Sequence, residues 1–265
     1  MTSSRPAATK QSLRQEYSAP ALEKAIDITD LLATAEGGLT LSEIAVRLKR
    51  SMSEIFRVIM VMERRRWLQK DPTSARYSVT YHLLELAHRG TPAQSLSLAA
   101  APVMNELSIA TRQSCHLVVR AFGNGLVIQR QENIGRQGCF AMRLGASVDL
   151  LTSCSGHVLL AFTRESDREA VYRLIPQPWR VGKEKIAKIT KRVKQQGFEL
   201  QPSPVTAGVT DISYPIHGLD GNVVAALTIP FLRVIDGSLP VTIDRAQSLL
   251  QKAAHRISRT LGWIP

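Results

Sequence analysis

Cys154 and His157 stand three residues apart. On a helix that spacing puts a thiol and an imidazole on one face, as a nucleophile with its base or half of a metal site would need. Cys115 and His116 are adjacent, so on a strand only one of them could join such a site. Neither chemistry is completed by the rest of the chain. No Ser-His-Asp or Cys-His-Asn set with an orienting acid is visible, and the paired, close-spaced clusters of structural zinc are missing. His82, His88, His217 and His255 have no partner spacing, and these patterns favour a small, packed, buried cysteine at 154. The same place carries a different chemistry. Leu150 to His157 reads as a loop entering a helix through Ser153, Cys154, Ser155 and Gly156. Small residues there leave backbone N–H groups uncovered, and with the helix dipole they form a floor for a hydrogen-bond acceptor. Close packing on a sheet would produce the same composition.

A second group of residues is basic. From Arg47 to Arg76 nine Lys or Arg face Glu54, Glu63 and Asp71, a net +6 within a chain of net +12. Such a balance suits a polyanion. Basicity alone does not locate the face, because much of the remaining charge lies beyond residue 160. The pattern around it does. Thr40 with Glu43 has capping-box spacing, and Ile44, Ala45 and Leu48 form a buried side. Arg50, Ser51 and Met52 interrupt, and from Ser53 the apolar Ile55, Val58, Ile59 and Met62 return at helical spacing. Two short helices joined by such a turn make a helix-turn-helix, whose second helix is sized for a DNA major groove. Trp67 to Lys70 and Ala75 to Val79 flank a Pro-containing turn, a hairpin that reads as a wing.

The remaining chain supplies the scaffold. Residues 1–19 are rich in Ser, Ala, Arg and Gln without periodicity, a mobile basic arm. Ala21 to Ala35 is a helix stopped by Gly37-Gly38. Tyr81 to Gly90 is a short apolar helix, and the domains divide near it. Beyond lie a helix over Ser95 to Thr111 and strands at Cys115 to Phe122 and Leu126 to Glu132 around a Gly123-Asn124-Gly125 turn. A strand is expected at Cys139 to Leu144, then helices at Ser153 to Phe162, Glu165 to Ile175 and Lys183 to Gln196. Strands follow at Phe198 to Leu200, Val209 to His217 and Asn222 to Ile229, and Thr242 to Trp263 closes as a helix. An α+β domain with a largely antiparallel sheet results. The 265 residues are enough for two cores. No apolar run reaches membrane length, and three widely spaced cysteines fit a reducing, cytoplasmic setting.

Leu41 to Ala45, Leu48, the polar turn and Ser53 to Arg57 resemble the IclR family of bacterial transcriptional regulators. The resemblance extends over nearly the whole chain after residue 20. Two places depart from the family pattern. Glu54 replaces a threonine, and Arg66 replaces a glycine between the second helix and the wing, costing about 1 kcal/mol if it is left-handed. The resemblance implies a winged helix-turn-helix over residues 20–80, a linker helix over 81–94 that pairs two subunits, and a GAF-like effector-binding domain over 95–265. It implies a homodimer or dimer of dimers on double-stranded operator DNA, no enzyme activity and no cofactor. Expected DNA contacts are Thr40, Ser51, Met52, Ser53, Glu54, Arg57, Lys70 and Arg76.

The effector phrase of the family appears as Gly208 to Ser213, and Gln201, Thr228 and Pro230 match other pocket positions. With Arg143, Ser153, Cys154, Ser155, Gly156 and Asp211 they form the expected ligand site for a small organic molecule. Asp211 stands where small or sulfur side chains are usual. Facing the cavity it would disfavour a bare carboxylate and favour a hydroxyl, amide or amine; paired with Arg143 it would say nothing of the ligand. Gly156 is expected to border the ligand's space. The rival readings are a small-molecule hydrolase using Cys154 and a thiol-based redox sensor.

Overall fold

A computed structural model describes residues 18–133, 140–175, 181–233 and 241–264. Nearly all of the expected N-terminal arm, and Cys139, lie outside the described residues. The chain divides into two compact units between Gly90 and Thr91.

The first unit contains α1 (Pro20–Ala33), α2 (Leu41–Arg47), α3 (Met52–Arg64), the hairpin β1 (Leu68–Lys70) and β2 (Tyr77–Val79), and α4 (His82–Gly90). Its core is built from Ile28 and Leu32 of α1, Ile44 and Ala45 of α2, Ile55, Ile59 and Met62 of α3, and Leu39, Leu68 and Tyr77 beside them. Gly38 carries φ of +72°, and a Cβ there would lie 2.5 Å from the Tyr77 carbonyl oxygen. This approach lets Leu39 bridge to Tyr77 through Leu39 N to Tyr77 O at 3.0 Å and Tyr77 N to Leu39 O at 2.7 Å. The wing is thereby fixed to the α1–α2 connection.

Ser51 caps α3, which starts at Met52, and α2 ends at Arg47, so the connection is residues 48–51 rather than Arg50 to Met52. Both helices of the pair end in the same way. After α2, Lys49 takes φ of +54°, with Lys49 N bonded to Val46 O and Arg50 N to Ala45 O; after α3, Arg66 takes +64°, with Arg66 N bonded to Glu63 O and Trp67 N to Met62 O. These are the paired bonds of a Schellman end, whose left-handed position favours glycine.

In the second unit α5 (Ala93–Thr111) and α9 (Ile243–Thr260) pack on one face of an antiparallel sheet, and α6 (Cys154–Phe162) and α8 (Lys183–Gln196) pack on the other, with α7 (Glu165–Leu174) between those two in sequence. The sheet order is β5-β4-β3-β8-β7-β6, with β3 (Cys115–Ala121), β4 (Asn124–Gln131), β5 (Ser147–Val148), β6 (Glu199–Pro202), β7 (Val209–His217) and β8 (Val223–Leu232). Alternation along the central strands sorts the two cores. Ala225 and Leu227 face α5 and α9, while Ala226 between them faces α6.

Two expectations are corrected here. The β3–β4 ladder pairs Ala121 with Asn124, so the turn is Phe122-Gly123 rather than Gly123 to Gly125. Residues 140–144 are not a strand. Gly145, at φ of +76°, bonds Val127 O, and the chain enters the sheet only at Ser147 and Val148 beside Leu126 and Gly125.

Replacing Arg66 with glycine should stabilise the first unit by up to about 1 kcal/mol by removing the left-handed cost. Urea unfolding of the two proteins measures this, and an unchanged or lower midpoint for Arg66→Gly would count against it.

Candidate functional site

The first site is built on the α2–α3 pair. Thr40 caps α2: Glu43 N donates to Thr40 Oγ1 at 3.3 Å, and Thr40 N donates to Glu43 Oε2 at 2.8 Å. Arg76 of the wing then clamps Glu43 with two bonds of 3.0 and 3.2 Å and donates to Gly38 O at 2.8 Å. These contacts hold the Glu43 carboxyl below its usual range, the Thr40 backbone bond first among the causes. Ser51 and Glu54 repeat the arrangement on α3, and Lys24 of α1 meets Glu54 Oε1 at 2.8 Å. Lys24 and then Ser51 pull the Glu54 carboxyl down to about 2.

Four expected DNA contacts, Thr40, Ser51, Glu54 and Arg76, thus also make the bonds that cap these helices and join elements of the unit. Met52, Ser53, Phe56, Arg57, Met60, Val61 and Arg64 are the exposed residues of α3. Met52 is among the expected contacts, whereas the apolar Phe56 and Met60, one and two turns on, are not. Lys70 lies with Nζ 5.6 Å from the Tyr77 ring centroid.

The second site is a cavity of about 100 Å³ in the other unit, between the start of α6 and the sheet. Ser153, Cys154, Ser155, Asp211 and Thr228 line it, as the sequence led us to expect, together with His116, Asp149, Thr152, Ser203 and the apolar Phe140, Met142, Val148, Pro204 and Val205. The β3–β8 ladder sets His116 opposite Thr228. Its neighbour Cys115 turns the other way, toward Met104 O.

Four expected ligand residues are not among the lining. Gly156 faces away: a Cβ there would lie 2.5 Å from Leu150 Cα and 2.7 Å from Asp149 O, so the glycine exists for close approach of α6 to that loop. Gln201 donates instead to Thr152 O at 2.8 Å, tying β6 to the loop. Pro230 sits opposite Asp211 in the ladder, on the face of Thr228. Arg143 is exposed, and Asp211 takes its hydrogen bond from Ser203.

Cys154 is buried, and its thiol donates toward Glu199 O and Asp211 O, both at 3.3 Å. Burial, with Asp211 and Glu199 adding to it, drives its pKa well up. A thiolate is what a cysteine hydrolase or redox sensor requires, and these surroundings oppose one. His157 is not its base. Its ring is held between Leu151 O at 2.9 Å and Glu199 Oε2 at 3.3 Å, and Arg192 of α8 meets the same Glu199 oxygen at 2.6 Å. Among the described residues there is no group of three His, Cys, Asp or Glu side chains able to hold a metal ion.

Two polar atoms on the cavity wall are buried without a partner, His116 Nδ1 and Asp149 Oδ2. Asp149 Oδ1 is used, accepting from Leu151 N at 2.6 Å. Burial holds the His116 ring neutral with a pKa lowered to about 4, while burial raises the Asp211 carboxyl. Sequence reasoning could not find Asp149, whose only signal is its place just before the α6 loop.

His116 gives a pH dependence of known sign. Its folded pKa lies below the unfolded value near 6.5, so the unfolded chain binds the extra proton first. The stability it contributes is complete above pH 6.5 and is lost as pH falls toward 4. Unfolding midpoints of wild type and His116→Gln across that range isolate the effect, since other titrations cancel; parallel curves would refute it. Gly156→Leu should lower stability by about 3 kcal/mol or more through collision with Leu150 backbone rather than by filling the cavity. A variant melting like wild type would contradict this.

Comparison with known proteins agrees with both halves of this geometry. The bacterial transcriptional regulator IclR C-terminal domain matches residues 91–259, and the IclR helix-turn-helix domain matches residues 21–72. The HTH-type transcriptional regulator XynR of Escherichia coli K12 is 24% identical over 250 residues, covering 91% of this chain and 97% of its own. KdgR of the same organism is 24% identical over 236 residues, covering 86% and 88%. An IclR homolog from Microbacterium hydrocarbonoxydans, solved in complex with 4-hydroxybenzoate, aligns with a TM-score of 0.74 at 24% identity over 91% of this chain and 98% of that one. Thermotoga maritima IclR aligns at 0.69 with 22% identity and the same coverage. With the two domain matches spanning most of its length, the chain belongs to the IclR family of bacterial transcriptional regulators, pairing a helix-turn-helix DNA-binding domain with a ligand-binding C-terminal domain.

Proposed function

We propose that α3 reads an operator half-site through Ser53 and Arg57, with Met52 and Phe56 against base methyl groups, while Lys70 of the wing meets flanking phosphate. The observation that carries this reading is the division of labour on α3: its capping groups are bound within the unit, while Met52, Ser53, Phe56, Arg57 and Met60 are among the residues it leaves exposed. Residues 20–80 act as the winged domain and 95–265 as the sensor. The linker, 81–94, presents Tyr81 and Leu84, which are 88% and 53% exposed, apolar surface suited to a second copy. A palindromic operator needs such a two-fold pair, so the working form is a homodimer or a dimer of dimers. The setting is the cytoplasm, in keeping with a DNA-bound regulator whose described helices include none long and apolar enough to cross a membrane.

The cavity beside Cys154 is the effector site in this reading. A related protein holding 4-hydroxybenzoate supports a small organic molecule as the class. Ligand can alter operator affinity only by as much as it prefers one arrangement of the paired winged domains over another.

Arg57→Ala should weaken specific operator binding by about 1 to 3 kcal/mol without unfolding the unit, as gel shifts at fixed salt would measure. Lys70→Ala should weaken all sequences alike and reduce the salt slope by about one. Arg76→Ala should act differently from Lys70→Ala. It frees Glu43 and the Gly38 carbonyl, so the melting temperature falls along with DNA affinity. Wild-type affinity in Arg57→Ala would displace α3 as the reading helix, and a monomer by light scattering at micromolar concentration would remove the paired arrangement.

A further inference from the structure

We propose that the cavity takes a small organic molecule that donates hydrogen bonds through an alcohol, amide or ammonium group, and that it discriminates against organic anions. This rests on reading the cavity as the effector site.

The demand for donors is visible on the wall. Asp149 Oδ2 is buried with no partner while its other oxygen is used by Leu151 N, and a carboxylate oxygen can only be satisfied by a donor. Asp211, on β7, adds a second carboxylate, which accepts a hydrogen bond from Ser203. Two of the hydroxyls nearby are already engaged. Ser153 Oγ donates to Asp149 O and accepts from Gly156 N, and Thr228 shares one hydrogen bond with Ser213 at 2.9 Å.

His116 supplies the independent observation. Its side chain is 5% exposed, lines the cavity and leaves Nδ1 unpartnered. Native structures rarely leave such an atom without a role, and a bound molecule would supply one. A neutral ring offers a dipole but no charge to hold an anion. Among the described lining residues there is no Lys or Arg, whereas two are Asp. An ionised ligand carboxylate would therefore meet like charge in a partly desolvated space. The start of α6 offers donors of its own, so a group that also accepts gains a further bond there. An alcohol or amide satisfies both demands with one group. Phe140, Met142 and Val148 complete the wall with apolar surface, which suits a short carbon skeleton.

The test uses the full-length protein and a panel of small molecules matched in threes on one skeleton, acid, alcohol and amine. Benzoate, benzyl alcohol and benzylamine form one set; glycerate, glycerol and 3-aminopropane-1,2-diol form another. Binding is followed at pH 7.5 as the rise in melting temperature with concentration. The expected result is that an alcohol or amine binds at least tenfold tighter than its matched acid, and that Asp149→Asn and Asp211→Asn each shrink that ratio. Asn is isosteric with Asp, and the unliganded melting temperature reports whether each variant is folded. Should either variant not fold, Ser203→Ala, which alters the surroundings of Asp211 without touching the core, serves in its place. Tighter binding of the acids overturns the inference and leaves the cavity as an effector site. No rise from any member of any set overturns both.

Discussion

The approach of α6 to the loop ahead of it is the constraint on which the sensor unit depends. At Gly156 the helix passes so near Leu150 and Asp149 that no side chain fits between them. That proximity lets Ser153 cap the helix, lets the Cys154 thiol reach the carbonyls of Glu199 and Asp211, and brings His157 onto Leu151 O. Each contact joins α6 to a different segment: the loop, β6 and β7. A larger residue at 156 would push the helix off the sheet and separate all of these at once. The cavity is the space left on the open side of this junction, so its floor is as rigid as the packing behind it.

Behind the floor lies Glu199, buried on β6 and held by His157 from α6 and Arg192 from α8. An isolated carboxylate at that depth would be costly, and the two partners with Leu200 N remove the deficit. The arrangement fixes three elements to one point. On the cavity side the opposite condition holds, since Asp149 Oδ2 and His116 Nδ1 have no partner. Satisfied polar groups behind the wall and unsatisfied ones on it distinguish structural from receptive chemistry.

Much of this was legible in sequence. Periodicity and capping spacing located α2 and α3, and the β7 and α8 ranges agree residue for residue with Val209–His217 and Lys183–Gln196. The α6 start was recognisable from its small residues. The individual roles were not, because spacing gives the face of an element but not what packs against it. Gly156 reads equally as a pocket border or a packing contact, and only the position of Leu150 decides. Glu54 and Arg76 look like DNA ligands in a basic segment, yet Lys24 and Glu43, distant in sequence, claim them. Residues 140–144 alternate like a strand, and Gly145 and the β4 register defer the pairing to Ser147.

The helix-turn-helix shows how local cost and function coexist. Lys49 and Arg66 occupy left-handed positions that glycine would fill more cheaply, at about 1 kcal/mol each. Both follow a helix C-terminus, where a cation interacts favourably with the dipole and recovers part of that cost. A regulator also has little need of large energies at its sensor. A tenfold change in operator affinity corresponds to about 1.4 kcal/mol of difference between two states, and one hydrogen bond to a buried group is worth about that amount when it forms in only one of them. A single unpartnered carboxylate oxygen in the cavity is therefore enough to couple occupancy to a switch of useful size, provided the donor reaches it in one arrangement and not in the other.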